Sequence, residues 1–413
     1  IGKLSGLIWS FDNYNKTIKL DMRILIIQGT TSLEYPSGEL SVISSEKSQL
    51  KKRHTVQVDL IKAKTYSGAL LILSVFNILW SWRNYRKVVR SIEEFKPDII
   101  HFHTITPYLS ISTLMAAKKN KIPVVQTLHN ERWLCVEGGF YRNGKYCDDC
   151  VGSYGWKGVL RGCGRGRLPA FLLFLVNFYA RFSGHLFGMV GRFVAVSSFV
   201  RNKHIQSRFP EDRVVVNNNG IDIDQMRRAE YIKPWTDRSG VAFAGRVSVA
   251  KGSDVLKYLI STIHQPFHII GNGPELLNLR YFCQKNRYEN VIFWGKQSRE
   301  KTLKILSGVI CTVVPSQCGE TFSMVAAESM ALGTPVVASN LGGLSDLVDS
   351  GGGIVINPRK FDQFSDAILR YVKHPSIAEE AGQKGQKYVF KYLSIESRGD
   401  ALVQIYDDLL NHS

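Results

Sequence analysis

Twelve short runs of Val, Ile, Leu and Phe recur along the chain, and segments of helical character separate most of them. In the first half they are MRILIIQ, TVQVDLI, DIIHFHT, PVVQTLH, RFVAVS and RVVVNN; in the second, VAFAGR, FHIIGNG, NVIFWG, VICTVVP, PVVAS and GIVINP. Many are continuously apolar rather than alternating, as parallel strands covered on both faces must be. This pattern predicts an α/β chain with two doubly wound, Rossmann-like sheets and ligands outside the carboxyl ends of the strands. A length of 413 residues leaves room for two domains with large cores, and 44% hydrophobic with 21% charged residues fits a globular chain.

The chain divides by composition. Residues 1–21 read as a leader before Met22, which opens the first strand; 22–215 form one domain with a Cys-rich insertion at 131–167. Residues 216–385 form a second domain, and 386–413 a closing helix that packs back on the first. Net charge is +18, and it is uneven: residues 22–200 hold 24 Lys and Arg against 11 Asp and Glu, while 201–413 hold 26 against 22. A basic first half suits an anionic membrane surface, an anionic substrate or nucleic acid. The start of the chain lacks the apolar core of a signal peptide. The longest apolar runs, Gly68–Trp80 and Leu168–Ala180, are 13 residues each, short of the ~20 that span a bilayer. Leu168–Ala180, flanked by Arg165, Arg167 and Arg181, suits a helix lying on a membrane surface or a buried helix of a large domain.

The stretch VPSQCGETFSMVAAESMALGTPVVAS carries the chemistry. Glu320 and Glu328 stand eight residues apart, with Gly319 before the first and helix formers between them. A Gly-Glu-Thr turn feeding a helix before Phe322 aims backbone N–H groups and the positive helix end at one spot, as phosphate sites do. Eight helical residues span ~12 Å, whereas paired glycosidase carboxylates stand ~5 to ~9.5 Å apart. The two acids therefore suit opposite ends of one long ligand; a solvated first-turn Glu is the plainer reading. Upstream, GRVSVAKG places Arg246 and Lys251 after Gly245 at a strand end, a cation pair fit for a diphosphate. FHIIGNGP begins like a dinucleotide fingerprint but has Leu276 at the third glycine position, which sets nicotinamide cofactors aside. Gly342-Gly343 adds a second backbone anion site or a tight turn.

In this order and spacing, GRVSVAKG, FHIIGNGP, NVIFWG, PSQCGETFSMVAAES and GTPVVASNLGG resemble the donor domain of glycosyltransferase family 4, retaining enzymes of the GT-B fold. DIIHFHT, PVVQTLHN, RFVAVSSFV and NNNGIDI resemble its acceptor domain more loosely. The resemblance implies that Glu320, with backbone at Gly319, Thr321, Phe322 and Ser323, holds the donor sugar, and that Glu328 takes the ribose. It further implies that Arg246 and Lys251 neutralise the diphosphate, that Gly295 and Lys296 meet the base, and that His129 lies by the reacting sugar. His101 and His103 are core or supporting candidates. The family's first-turn Gly-Gly is here reduced to Gly38, Ser329 stands where Ala is common, and Asp346 where Glu is. The implied activity is transfer from a UDP- or GDP-sugar to a lipid-linked or cell-surface glycan in bacterial polysaccharide synthesis, with no catalytic metal. The basic first half adds a cytoplasmic place, peripheral on the inner face of the plasma membrane. A nucleotide-sugar epimerase or hydrolase on the same fold is the alternative. A nucleic-acid-binding protein has only the charge in its favour, with no zinc finger or RNA-binding motif.

Cys135, Cys147, Cys150 and Cys163 cluster in the insertion. One CxxC with two outlying cysteines could hold a structural zinc as four thiolates; the alternatives are free thiols or disulfides, the latter disfavoured in a reducing compartment.

Overall fold

The computed structural model describes residues 21–30, 38–62, 80–106, 108–164, 166–231 and 233–412. The strands are β1 Arg23–Thr30, β2 Thr55–Lys62, β3 Ile99–Phe102, β4 Val124–Leu128, β5 Tyr141–Arg142, β6 Lys145–Tyr146, β7 Arg192–Ala195 and β8 Val214–Val216. They continue with β9 Val241–Ala244, β10 Phe267–Ile270, β11 Val291–Gly295, β12 Cys311–Val314, β13 Val336–Ser339 and β14 Gly353–Ile356. Every one of the twelve apolar runs is a strand. They form two six-stranded sheets, ordered β2-β1-β3-β4-β7-β8 and β11-β10-β9-β12-β13-β14, and the pairings within them are parallel. Two Rossmann-like domains result. Strand order reverses between β1 and β3 in the first and between β9 and β12 in the second, the positions where such sheets open a ligand crevice.

β3, β4, β12 and β13 are buried throughout, which explains why these runs read as continuous rather than alternating. The ribbon β5–β6 lies in the Cys-rich insertion. Its turn residues, Asn143 and Gly144, have φ of 49° and 76°, as a two-residue Asn-Gly hairpin loop requires.

The closing segment is two helices, Pro375–Tyr392 and Ile395–Asn411. Leu402, Val403, Tyr406 and Leu409 of the second share a buried cluster with Met22, Ile24, Ile26 and Val125 of the first sheet. The chain returns through Ile221, which donates to Leu393 O at 2.7 Å and accepts from Ile395 N at 2.9 Å.

The apolar run Leu168–Ala180 sits in the helix Arg167–Phe182. Ala170, Val176 and Ala180 are buried on one side, while Leu168, Phe171, Tyr179 and Phe182 are exposed. Arg181 departs from its expected place at a membrane-facing end. It is buried and donates to the backbone carbonyls of Trp133 and Ser207, because those carbonyls need donors in the core. Arg165, the leader 1–20 and the run Gly68–Trp80 as far as residue 79 lie outside the described residues. Among the described residues no helix is long and apolar enough to cross a membrane.

Candidate active site

Three neighbouring strand ends, of β9, β12 and β13, build the centre of the site. After β9 the chain passes Gly245 and the exposed Arg246, turns through Val249–Lys251, and enters the helix Ser253–Thr262. Gly252 stands at that entry with φ 86°, and a Cβ there would lie 2.1 Å from Pro315 O. The loop after β9 is thus pressed onto the end of β12, which only glycine allows. Lys251 Nζ is in consequence 2.5 Å from Glu320 Oε1, and Ser316 Oγ donates to the same oxygen at 2.5 Å. From the other side, Gly343 N donates to Glu320 O at 2.7 Å. Gly342, with φ 70°, approaches so closely that a Cβ would meet that carbonyl at 2.1 Å. Burial acts to raise the Glu320 carboxyl, but the Lys251 charge and the hydrogen bonds from Lys251 and Ser316 outweigh it and hold it below the usual value. Lys251 is raised: burial opposes this, and Glu320 overcomes it.

The two acids do not share a helix. The helix begins at Met324, not before Phe322, and Ser323 is its N-cap at φ 83° and ψ 89°, its hydroxyl accepting from Ala326 N. Positive φ at Ser323 turns the loop 319–323 away from the helix axis, so the ~12 Å axial separation drawn from helical rise does not describe this pair. Glu328 lies in the helix, buried, its Oε1 3.0 Å from Arg299 Nε and 2.9 Å from Arg299 Nη2. Burial raises its carboxyl above the ordinary value, and Arg299 offsets this only in part. Gly295 ends β11 at φ 66°, with Lys296 next, beyond the adjacent strand end. Phe322 is buried in the core, so any ligand contact at this position falls to backbone.

The first sheet meets this centre directly. Thr321 Oγ1 donates to His129 O at 3.0 Å, and Gly319 N to Gly139 O at 3.0 Å. His129, just past β4, has its Nε2 2.8 Å from His103 Nδ1. Burial, and then the neighbouring His103, lower His129 to about 4, against the pull of Glu39 and Glu46, so the ring is neutral at pH 7. Gly38 opens the helix Gly38–Leu50. Its successor Glu39 accepts from Thr104 Oγ1 at 2.8 Å, Gln28 Nε2 at 3.1 Å and Asn130 Nδ2 at 3.4 Å. Burial acts to raise Glu39, but His129 and these three bonds leave it lowered.

The candidates therefore fall into one group at the β9–β12 crevice (Arg246, Lys251, Glu320), a second around Glu328, and a third around His129 and Gly38. Sequence reading missed Ser316, Arg299, Glu39 and Glu46. Glu39, directly after the first-turn Gly38, and Ser316, four residues before Glu320, had a positional signal; Arg299 had none. The four cysteines are free thiols, near enough that Cys135, Cys163 and Cys147 all act on Cys150. Among the described residues, however, no three of the sulfurs lie within 4.8 Å of one another.

Two families match in sequence: Glycosyltransferase Family 4 over residues 39–225 and Glycosyl transferases group 1 over residues 231–388. An uncharacterized glycosyltransferase of Methanocaldococcus jannaschii is 26% identical over 53% of this chain and 60% of its own length. A D-inositol 3-phosphate glycosyltransferase of Mycolicibacterium smegmatis is 30% identical over 38% of this chain and 39% of its own. The chain thus matches less than two thirds of the length of these relatives. Among solved structures, Anabaena HepE in complex with UDP superposes with a TM-score of 0.66 at 17% identity, over 93% of this chain and 99% of that one. A Rickettsia africae glycosyltransferase gives 0.69 at 16% identity, over 95% and 100%. At such identities the likeness is one of fold.

Proposed function

The chain belongs to glycosyltransferase family 4 and has the GT-B fold, and from that premise we propose that it moves a sugar from a nucleotide-sugar donor to a glycan or lipid-linked acceptor. The observation that carries this reading is the Glu320 carboxylate held by Lys251 and Ser316 at the switch point of the second sheet, with Arg246 exposed just past the end of β9. Breaking a sugar–diphosphate bond develops negative charge on the diphosphate and positive charge on the ring. Arg246 and Lys251 answer the first charge by fixed electrostatics. A lysine ammonium has three N–H donors, so Lys251 can hold Glu320 and a diphosphate oxygen together. Glu320, kept ionised, accepts from donor-sugar hydroxyls and faces the developing positive ring. Glu328, steadied by Arg299, accepts from the ribose hydroxyls.

The reading includes retention at the anomeric carbon by same-face attack, with the leaving diphosphate taking the acceptor proton. Because a solved structural neighbour holds UDP, a UDP-sugar is the first donor to try and a GDP-sugar the second. The exposed Leu168, Phe171, Tyr179 and Phe182 beside Arg167, together with the basic charge of residues 22–200, support work at an anionic cytoplasmic membrane face on a lipid-linked acceptor of bacterial polysaccharide synthesis. The experiment is thermal unfolding with a panel of UDP-, GDP- and ADP-sugars, followed by product analysis with the donor that protects. Protection by at least one donor and sugar on an acceptor are expected. No protection by any donor sinks the reading, and donor consumed without transfer sinks transfer in favour of hydrolysis or epimerisation.

A further inference from the structure

Behind His129 runs a row of two close polar contacts, one a hydrogen bond and one an ion-pair contact, that donor binding alone does not employ. His103, just past β3 and buried, places Nδ1 2.8 Å from His129 Nε2 and Nε2 3.2 Å from Glu46 Oε2. Glu46 comes from the helix Gly38–Leu50. His101, two residues earlier, is closed off: its Nδ1 meets the Tyr406 hydroxyl and its Nε2 the Thr127 hydroxyl, each at 2.7 Å. Of these three imidazoles, His103 stands between another imidazole and a carboxylate.

Proton positions in this row are interdependent. An ionised carboxylate only accepts, so Glu46 calls for N–H on His103 Nε2. A neutral His103 then has a bare Nδ1, which in turn calls for N–H on His129 Nε2. We propose that Glu46 and His103 are positioning residues that fix His129 as its Nε2–H tautomer, leaving Nδ1 bare to accept a hydrogen bond from a substrate hydroxyl. This rests on the sugar-transfer reading and deepens it. His129 becomes an acceptor toward a hydroxyl of the donor sugar or of the acceptor, and not an N–H donor to the diphosphate. The ring is held neutral by burial, as the assignment needs. The charged or titratable groups facing it are His103 from the β3 end and Glu39 and Glu46 from the helix. Glu39 is already taken up by Gln28, Thr104 and Asn130, whereas Glu46 Oε2 and His103 Nε2 are both buried without a hydrogen-bond partner and face each other at 3.2 Å.

The test is nitrogen NMR of the full chain labelled with 15N-histidine, with the His129 signals identified from a His129→Asn variant. The neutral Nε2–H tautomer is expected at His129 at pH 7. Glu46→Gln, whose amide can either accept or donate, should mix the two tautomers and lower kcat about tenfold, with the donor KM within about twofold. An Nδ1–H tautomer at His129 in the parent, or a Glu46→Gln variant unchanged in both tautomer and kcat, overturns the proposal. The spectrum is read without substrate. The expected tautomer in a chain that turns over no nucleotide sugar would support the proton order and sink the transfer reading.

Discussion

Lys251 Nζ and Glu320 Oε1 stand 2.5 Å apart across 69 residues of chain, brought together because Gly252 lets the loop after β9 rest on the end of β12. The contact joins the cation proposed for the leaving diphosphate to the carboxylate proposed for the sugar, so each change made to one is felt by the other.

Lys251→Ala should lower turnover at least ~100-fold, the scale of losing one preorganised charge at a developing anion. It should also destabilise the fold, since it leaves a largely buried carboxylate uncompensated. The Lys251→Ala/Glu320→Ala double variant should therefore melt above Lys251→Ala alone while remaining as inactive. Turnover and thermal unfolding of the three proteins check this, and a near-parental rate in Lys251→Ala removes the donor-site assignment.

The same pair sets an acid limb. Glu320 titrates below its ordinary value in the folded chain, so its contribution is present above about pH 4.5, the ordinary carboxylate range, and is lost as pH falls through the folded value. Denaturant melts from pH 6 downward should show a loss of stability that is smaller in the Lys251→Ala/Glu320→Ala variant. Equal slopes in the two proteins would contradict the pairing.

Gly342→Ala should be harmful out of proportion to one methyl group. At φ 70° the added Cβ would sit 2.1 Å from Glu320 O, and the loop carrying Glu320 must move. A cost of about 1–3 kcal/mol in urea unfolding, with turnover reduced by at least tenfold, is expected. Unchanged stability would show that this loop is not held as described.

Glu131 gives a prediction of opposite sign. Fully buried, with neither carboxyl oxygen hydrogen-bonded, it is raised by that burial to about 8, with Lys203 opposing. Its neutral form favours the fold in full below about pH 4.5, the ordinary carboxylate range, and that contribution drains away as pH rises to about 8. Glu131→Gln should therefore raise the melting temperature more at pH 8 than at pH 5. An equal shift at both values would count against a buried neutral carboxyl.

The exposed side of the helix Arg167–Phe182 can be tested apart from the chemistry. Phe171→Asp/Phe182→Asp should abolish flotation with anionic vesicles at low salt and leave the melting temperature within a few degrees. Failure of the parent protein to float would remove the membrane claim.

The strands were legible because a parallel strand covered on both faces must be apolar at nearly every position, and the β12 and β13 runs could hardly be read otherwise. The start of the helix at Met324 was not legible, because it follows a Ser323 N-cap at positive φ, which a non-glycine residue seldom adopts. The Lys251–Glu320 grouping was visible as two motifs, but their contact depends on Gly252 and Pro315 packing backbone to backbone. Arg299 was invisible. Its link to Glu328 is tertiary, from the helix after β11, and nothing in its local sequence marks it. The cysteine spacing suggested four ligands, yet spacing brings the four thiols near one another without fixing the sulfur positions.

The most direct test of the central claim is calorimetric titration of UDP, GDP and ADP into the parent chain and into Lys251→Ala and Glu328→Ala. At least one nucleoside diphosphate should bind the parent at one site per chain. Each substitution should weaken that binding about tenfold or more, Lys251 through the diphosphate and Glu328 through the ribose. No binding by any of the three, or equal affinity in all three proteins, would contradict the account.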